Sequence, residues 1–319
     1  MRSLTTVVVK VLISALLLYL SLRRVNLGSV GQRLSGIDLR WMTLILAITC
    51  SQVLLLALRW REIVVVSGMK LSLPLALNYS FIGQFFSQVL PSTVGGDAAR
   101  AWLLTRGGGA WSSAIYSVLI DRIIGVSILA VLVTACLPWT LNMIRDPLAR
   151  TALVLIGLGA LAGLLVFLIL GMKHLRVMQR WFFTRHLAVA SRVAWQLCRS
   201  VAGVRVVAFS FAIHLMTVTV AWGAAMAAHA AVNFTDALFL VLPVMLIATI
   251  PISIAGWGLR ESAMVLAFSF AGLAESDGLI VSILFGSVNL AAGVIGGIVW
   301  LSNGERWRSV KNVEVDTIV

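Results

Sequence analysis

Charged side chains within or beside long apolar stretches are the residues of this chain best placed to do chemistry. In a membrane, each such charge costs on the order of 2.5–3.5 kcal/mol at a helix centre, so it needs an oppositely charged partner or a wet cavity. The residues in this setting are Asp97, Arg100, Asp121, Arg122, Arg260 and Glu261. Arginine suits the binding of phosphate, whereas the acids suit ion pairing or proton transfer.

The first glycine-rich segment, residues 91–100, reads Pro91-Ser-Thr-Val-Gly-Gly-Asp-Ala-Ala-Arg100. Asp97 opens a helix there, either as an N-cap or as a partner of Arg100 at a spacing of three residues. Arg100 alternatively binds a phosphate at the helix N-terminus, where Gly95 and Gly96 would let a lipid headgroup approach the backbone. The other interpretation of these glycines is a tight turn between two half-helices.

Asp121 and Arg122 lie about ten residues into the next apolar stretch. Adjacent residues do not face each other on a helix, so each needs a partner elsewhere. We expect Asp121 to meet Arg100 or Arg260, and Arg122 to meet Asp97 or the acid of the second glycine-rich segment. The alternative role for these contacts is a structural ion pair that fixes helix packing.

A second glycine-rich segment, residues 251–261, resembles the first in its spacing. Pro91, Gly96 and Arg100 correspond to Pro251, Gly256 and Arg260. Each segment follows an apolar run and precedes another helix. Paired Gly/Pro-interrupted segments in the two halves of a chain indicate an internal repeat with a binding site between the halves.

The second segment repeats the same chemistry. Arg260 is the second candidate for phosphate binding, with Gly256 and Gly258 beside it. Glu261 either carries a proton or locks Arg122. Trp257 either packs against acyl chains or plugs a cavity.

The cysteines and histidines form no recognisable site. Cys50, Cys136 and Cys198 are scattered and show neither a disulfide framework nor metal spacing. His214 and His229 are fifteen residues apart on one predicted helix, too far apart to share a metal, so we expect them to be packing residues. We therefore expect no metal and no cofactor.

Two small-residue motifs, Gly159-x-x-x-Gly163 and Gly293-x-x-x-Gly297, are typical of close helix packing. No HExxH, CxxC, GxSxG or Walker motif occurs. Acid–base catalysis by Asp97, Asp121 or Glu261 would lack a nucleophile or metal, so we expect no enzyme activity.

The elements that position these residues are membrane helices. Of the 319 residues 60% are hydrophobic and 12% are charged, and mean hydropathy is +1.01. A helix needs about 20 apolar residues to cross about 30 Å of hydrocarbon. We predict an all-α polytopic membrane protein with full spans near 5–22, 41–58, 112–137, 151–172, 207–231 and 278–301. Two further apolar runs, 75–90 and 237–250, start re-entrant hairpins.

Basic residues set the predicted orientation. The net charge of +13 attracts anionic headgroups, and no soluble basic domain exists to bind nucleic acid. The densest cluster is Lys173, Arg176, Arg180, Arg185, Arg192, Arg199 and Arg205. It places that loop in the cytoplasm, and the basic C-terminus places residues 306–319 there as a tail. Both termini are then cytoplasmic, and the two hairpins form an inverted repeat.

The loop at 173–205 is predicted to be an amphipathic helix on the inner leaflet, because Arg185, Arg192 and Arg199 recur every seven residues. A solvated linker helix is the alternative. The 173–205 segment then joins the two halves, about 1–172 and 206–305, of a single transmembrane domain that covers residues 1–305.

Together, the two glycine-rich segments and the Asp121-Arg122 pair resemble the transmembrane region of lysylphosphatidylglycerol synthases, a flippase-like domain family, in its stand-alone form. The resemblance covers about residues 5–301. It implies a protein of a bacterial inner (plasma) membrane that moves an anionic or aminoacylated phospholipid, or a lipid-linked intermediate, between leaflets. The chain ends at Val319 without the soluble synthase domain of other members, so we expect no lysyl transfer by this chain alone.

Two functions remain open at this point. In the first, the chain is a lipid flippase in which Arg100 and Arg260 hold a phosphate from opposite sides. In the second, it is a non-catalytic accessory subunit that presents lipid to a separate synthase or glycosyltransferase. Its expected partners are membrane lipid and, in the second case, a lipid-modifying enzyme; small-residue faces also permit a homodimer.

Overall fold

The structure is a computed structural model that describes residues 2–23, 27–90, 94–172, 191–197, 199–250, 253 and 256–302. Regular structure in these residues is helical throughout. The main helices are α1 Arg2–Arg23, α2 Leu27–Ser35, α3 Leu39–Val66, α4 Leu73–Val89, α5 Gly95–Arg106, α6 Trp111–Met143, α7 Pro147–Met172, α8 Val201–Ala227, α9 Phe234–Ala248, α10 Leu259–Phe270 and α11 Glu275–Ser302.

Long apolar helices match the predicted spans. Within the described residues, α3, α6, α7, α8 and α11 are long and apolar enough to cross a membrane. Helix α1 has 22 residues and covers the predicted first span. The prediction of an all-α polytopic membrane protein is confirmed.

The pairs α4–α5 and α9–α10 are made of shorter helices. They contain 17 and 12 residues, and 15 and 12 residues. At 1.5 Å per residue they are about 18 to 26 Å long, short of the roughly 30 Å of a hydrocarbon core. Each pair packs helix against helix, as the predicted re-entrant hairpins require.

Helices α3 and α8 form the antiparallel centre of the molecule. At one end, the backbone N–H of Asp38 donates to the carbonyl of Ala227 at 3.0 Å. In the middle, Gln52 Nε2 donates to the Ile213 carbonyl at 2.9 Å. At the other end, Arg205 and Glu62 form an ion pair at 2.9 Å. The contacts therefore run in opposite directions along the two helices.

The remaining contacts are arranged as an internal repeat. Helix α4 packs against α11, and α9 packs against α6. Arg100 and Arg260 are 160 residues apart in the sequence. Shifting α3–α6 by the same 160 residues brings them onto α8–α11. Helix α1 packs on α10 and α7 packs on α6, so both lie outside the repeat. Packing thus assigns the repeat units to 39–143 and 201–302.

Glycines bring the two repeats together at α4 and α11. A Cβ at Gly296 would collide with the Phe81 carbonyl oxygen, and one at Gly297 would lie 2.9 Å from Phe85 Cδ2. A Cβ at Gly293 would lie 3.0 Å from Gln88 Cγ. The packing prediction for Gly293-x-x-x-Gly297 is confirmed.

For Gly159-x-x-x-Gly163, the described residues show no such packing partner, and the same prediction stays untested. A Cβ at Gly159 or Gly163 would meet nothing within 4 Å. Both glycines are exposed on α7. The spacing is the same as in α11, but no helix of the described part of the chain packs against it.

The predicted basic helix at 173–205 is described only in part. Residues 173–190, including Arg185, lie outside the described residues, as does the 306–319 tail. Residues 191–197 are helical, with Ala194 and Leu197 buried and Arg192 exposed. Ser200 caps the next helix by accepting from the N–H of Gly203 at 3.1 Å, so Arg205 belongs to α8.

Candidate functional site

The structure at the start of α5 contradicts one of the two predictions for Asp97. The N-cap position is occupied by Val94, so the N-cap interpretation is wrong. The Asp97 carboxylate instead accepts from Arg100 Nη2 at 2.5 Å and from Arg122 Nε at 2.6 Å. The predicted Asp97–Arg100 pair at a spacing of three residues and the Asp97–Arg122 pair are confirmed.

Asp121 accepts hydrogen bonds from two arginines. Arg100 Nη1 donates to Oδ2 at 3.0 Å, as predicted, and Arg59 Nε donates to Oδ1 at 2.7 Å. The ion pairs thus form a continuous chain, Arg122–Asp97–Arg100–Asp121–Arg59. We call these five residues the charge network. With three arginines and two aspartates, its formal charge is +1.

Arg59 is the member of the charge network that sequence reasoning missed. The predicted span ended at residue 58, whereas α3 continues to Val66 and buries Arg59. Arg59 Nη1 also donates to Ser210 Oγ on α8 at 3.2 Å. A signal was present in Gln52, which lies seven residues earlier and therefore on the same helix face, where it also bonds to α8.

Exposure along the charge network is lowest at Asp121 and rises from there to Arg122. The Asp121 side chain is 1% exposed and those of Arg59 and Arg100 are 6%. The Asp97 side chain is 14% exposed and that of Arg122 is 34%. The network is therefore most deeply buried at Asp121 and most exposed at Arg122, so the Arg122–Asp97 end is its most accessible part.

The Arg122–Asp97 end faces a cavity of about 420 Å³, which we call the central cavity. All five network residues line it, and so do residues from the second repeat, including Thr249 after α9 and Phe285 of α11. His214 also lines it, with Nε2 2.9 Å from the Gly125 carbonyl oxygen. His214 is thus a packing residue, as predicted, but one beside the cavity.

The glycines of the first segment serve helix packing. A Cβ at Gly96 would collide with the Gly83 carbonyl oxygen, and one at Gly95 would lie 2.9 Å from the Phe86 carbonyl oxygen. A Cβ at Gly83 would lie 3.0 Å from Arg100 Cγ. Helix α4 therefore fills the space that we expected a headgroup to use, and Gly83 lets Arg100 extend across α4. Pro91 lies outside the described residues.

The second segment builds a separate cluster around Arg260. Its Nη2 donates to Glu261 Oε1 at 2.7 Å, and its Nε donates to Ser282 Oγ at 3.0 Å. The guanidinium carbon lies 5.0 Å from the Trp257 ring centroid and 5.4 Å from that of Phe285. Such ring contacts stabilise a buried cation. Trp257 thus packs on Arg260, a contact that sequence reasoning did not predict.

Glu261 does not contact Arg122, so the predicted lock between them is wrong. Its Oε2 accepts from the Gly258 N–H at 2.5 Å, and its Oε1 binds Arg260. The carboxylate thereby caps the N-terminus of its own helix, which is the nearest source of unpaired donors. Local capping satisfies the charge without a partner from the first repeat.

The glycines of the second segment shape its turn. Gly256 and Gly258 have φ values of 80° and 84°, which favour glycine. A Cβ at Gly258 would lie 2.5 Å from the Ser14 carbonyl oxygen, so this residue also lets α1 approach. Pro251 lies outside the described residues.

Arg100 and Arg260 do not share a binding space in this conformation. Arg100 lines the central cavity, whereas Arg260 is not among the lining residues. The Phe285 ring contacts Arg260 and also lines the cavity, so it lies between Arg260 and the central cavity.

A comparison with protein families finds a match that covers most of the chain. A sequence model described as the lysylphosphatidylglycerol synthase TM region matches residues 7–297. The chain belongs to this family. The match spans both glycine-rich segments and the whole charge network, which confirms the resemblance. As a member of the lysylphosphatidylglycerol synthase TM region family, it is a multi-pass membrane protein with a lipid-related function. A comparison with curated proteins gives no match.

Proposed function

We propose that this protein moves an anionic or aminoacylated phospholipid, or an anionic lipid-linked intermediate, between the leaflets of the cell membrane. The observation that carries the proposal is the charge network, with its formal charge of +1, opening through Arg122 onto the central cavity. This positive site lies among apolar membrane helices.

The charge network suits an anion on physical grounds. Arginine binds phosphate through two parallel N–H···O bonds, and such bonds strengthen where water is scarce. One phosphate of charge −1 would bring the local formal charge from +1 to zero. A cavity of about 420 Å³ is large enough for a headgroup and lies within the usual size of small-molecule sites. In this proposal the headgroup enters the cavity and the acyl chains stay in apolar surroundings.

The internal repeat supplies the second half of the proposed cycle. Inverted repeats of transporters place their site between two discontinuous elements and expose it alternately to each side. We propose that Arg260, with Gly256 and Gly258 beside it, receives the phosphate after the Phe285 ring moves aside. Transport is then downhill or coupled to an ion, with both termini of the chain in the cytoplasm, and no catalytic group is required.

A liposome assay tests the proposal. Purified protein is reconstituted with fluorescent anionic, aminoacylated, zwitterionic and polyprenyl-phosphate lipids, and leaflet exchange is followed by quenching of the outer leaflet. We expect one anionic or aminoacylated class to exchange. Arg122→Gln should slow that exchange at least about tenfold, the effect of about 1.4 kcal/mol on a rate barrier.

Arg205→Gln is the matched control. Arg205 also pairs with an acid, Glu62, but it lies near the N-terminus of α8 and does not line the central cavity. If Arg122→Gln leaves lipid exchange intact, the proposed binding site at Arg122 is refuted. Folded wild-type protein that exchanges none of the lipids would refute the flippase itself and favour an accessory subunit, which a search for a stoichiometric enzyme partner would then examine.

A further inference from the structure

A second cavity lies between α6 and α7 and is almost wholly apolar. It has a volume of about 440 Å³, and its lining includes Ile123, Val126 and Ala130 of α6 and Ala160, Gly163 and Phe167 of α7. We call it the α6–α7 groove. It lies between two helices that are each long and apolar enough to cross the membrane. Its lining therefore suits a hydrocarbon chain.

The α6–α7 groove adjoins the central cavity. Arg122 and Val126 line both spaces. Arg122 is the most exposed member of the charge network, and it is the charged residue of the groove. A molecule that occupies both spaces would therefore place an anionic group at Arg122 and an apolar chain in the groove.

Small residues on α7 keep the groove open. Gly163 lines it, and a Cβ there would meet nothing within 4 Å. The glycines of α11 differ, since Gly293 and Gly297 have α4 against them. Among the described residues no close helix contact accounts for Gly163, whereas an occupant of the groove would.

We propose that the α6–α7 groove takes one acyl chain of an anionic phospholipid whose phosphate binds Arg122 in the central cavity. This inference rests on the proposed lipid substrate and adds the route by which the lipid enters, sideways between α6 and α7. Charge complementarity at Arg122 selects a lipid with a negative headgroup over a neutral one.

The direction of the groove indicates the leaflet of origin. Along α6 it runs from Arg122 to Ala130, about 12 Å at 1.5 Å per residue, away from the α6 N-terminus. A lipid bound this way has its headgroup nearer the α6 N-terminus and its chain pointing to the opposite side. That is the orientation of a lipid in the leaflet where α6 begins, which is the predicted cytoplasmic leaflet.

The test fills the groove without touching the charge network. Gly163→Leu places a side chain into the groove, and Gly159→Leu is its control. Gly159 lies one turn earlier on the same helix, a Cβ there would also meet nothing within 4 Å, and it does not line the groove. Both variants replace glycine by a better helix former, so helix propensity does not separate them.

Two readouts are taken on the same reconstituted samples. The first is leaflet exchange of phosphatidylglycerol. The second is photolabelling by phosphatidylglycerol or phosphatidylcholine with a diazirine in the middle of one acyl chain, mapped to peptides of α6 and α7. We expect Gly163→Leu to lower both exchange and the phosphatidylglycerol label at least about tenfold, and the control to stay within about twofold.

Three results would overturn the groove as a lipid site. One is equal labelling of Gly163→Leu and Gly159→Leu. Another is equal labelling by the two headgroups, which would mean bulk lipid contact only. The third is intact exchange in Gly163→Leu while the wild type is active. If the wild type exchanges no lipid, the proposed function fails, and the labelling comparison still decides whether the groove binds an anionic lipid.

Discussion

Asp121→Asn tests whether the charge network is one cooperative unit. Asp121 is 1% exposed and accepts from Arg59 at 2.7 Å and from Arg100 at 3.0 Å, each 6% exposed. The substitution keeps the shape but leaves the buried Arg59 without its acid, while Arg100 keeps its bond to Asp97. Breaking a buried ion pair on one side costs about 3–5 kcal/mol, because an unpaired charge remains in a medium of low dielectric constant.

The magnitude is measured with a double-mutant cycle. Asp121→Asn should lower the free energy of unfolding by about 3–5 kcal/mol. Arg59→Met leaves Asp121 bonded to Arg100 and should cost less, about 1–3 kcal/mol. The double variant removes one charge of each sign, while Arg100 keeps its bond to Asp97. It should therefore cost no more than Asp121→Asn alone, which gives a coupling energy of about 1–3 kcal/mol.

Unfolding in mixed micelles, followed by tryptophan fluorescence, gives these free energies. The control cycle uses Glu62→Gln and Arg205→Gln, an ion pair whose arginine is 55% exposed. Because water screens that pair, its coupling should be about 0–1 kcal/mol. Additive costs for Asp121→Asn and Arg59→Met, with no more coupling than in the control, would refute the idea that Asp121 holds the network together.

Two further outcomes follow from the packing and from the second cluster. Gly96→Ala should destabilise the folded protein by about 1–3 kcal/mol through overpacking against Gly83, whereas Gly159→Ala should be neutral or stabilising. Thermal unfolding in detergent compares the two variants. Equal unfolding midpoints would contradict the packing argument. Arg260→Met should destabilise by about 3–5 kcal/mol because it leaves the Glu261 carboxylate buried without its cation, and adding Glu261→Gln should restore part of the loss. A double variant no more stable than Arg260→Met would argue against that pairing.

The sequence alone determined the membrane class and limited most partners within the charge network to two alternatives each. Long apolar runs allow only helices in lipid, because every backbone polar group must be bonded internally. A charge among such helices needs a partner, and few oppositely charged residues lie in the apolar stretches. The pairs Asp121–Arg100 and Arg122–Asp97 could therefore be proposed from the sequence. The repeat was visible because both segments carry proline, glycine and arginine at matching positions.

Only the tertiary structure decided where a helix end lies and what faces it. Arg59 is part of the charge network because α3 extends to Val66, and residue spacing does not mark that end. Glu261 caps its own helix because the unpaired N–H of Gly258 is closer than any distant arginine.

The two glycine motifs show the same limit. Gly293 and Gly297 pack against α4, whereas Gly159 and Gly163 face open space. Their spacing is identical because it reflects the period of one helix, which is a local property. Whether a helix, a lipid chain or nothing lies opposite depends on how distant segments pack, and residue spacing within one helix carries no information about that.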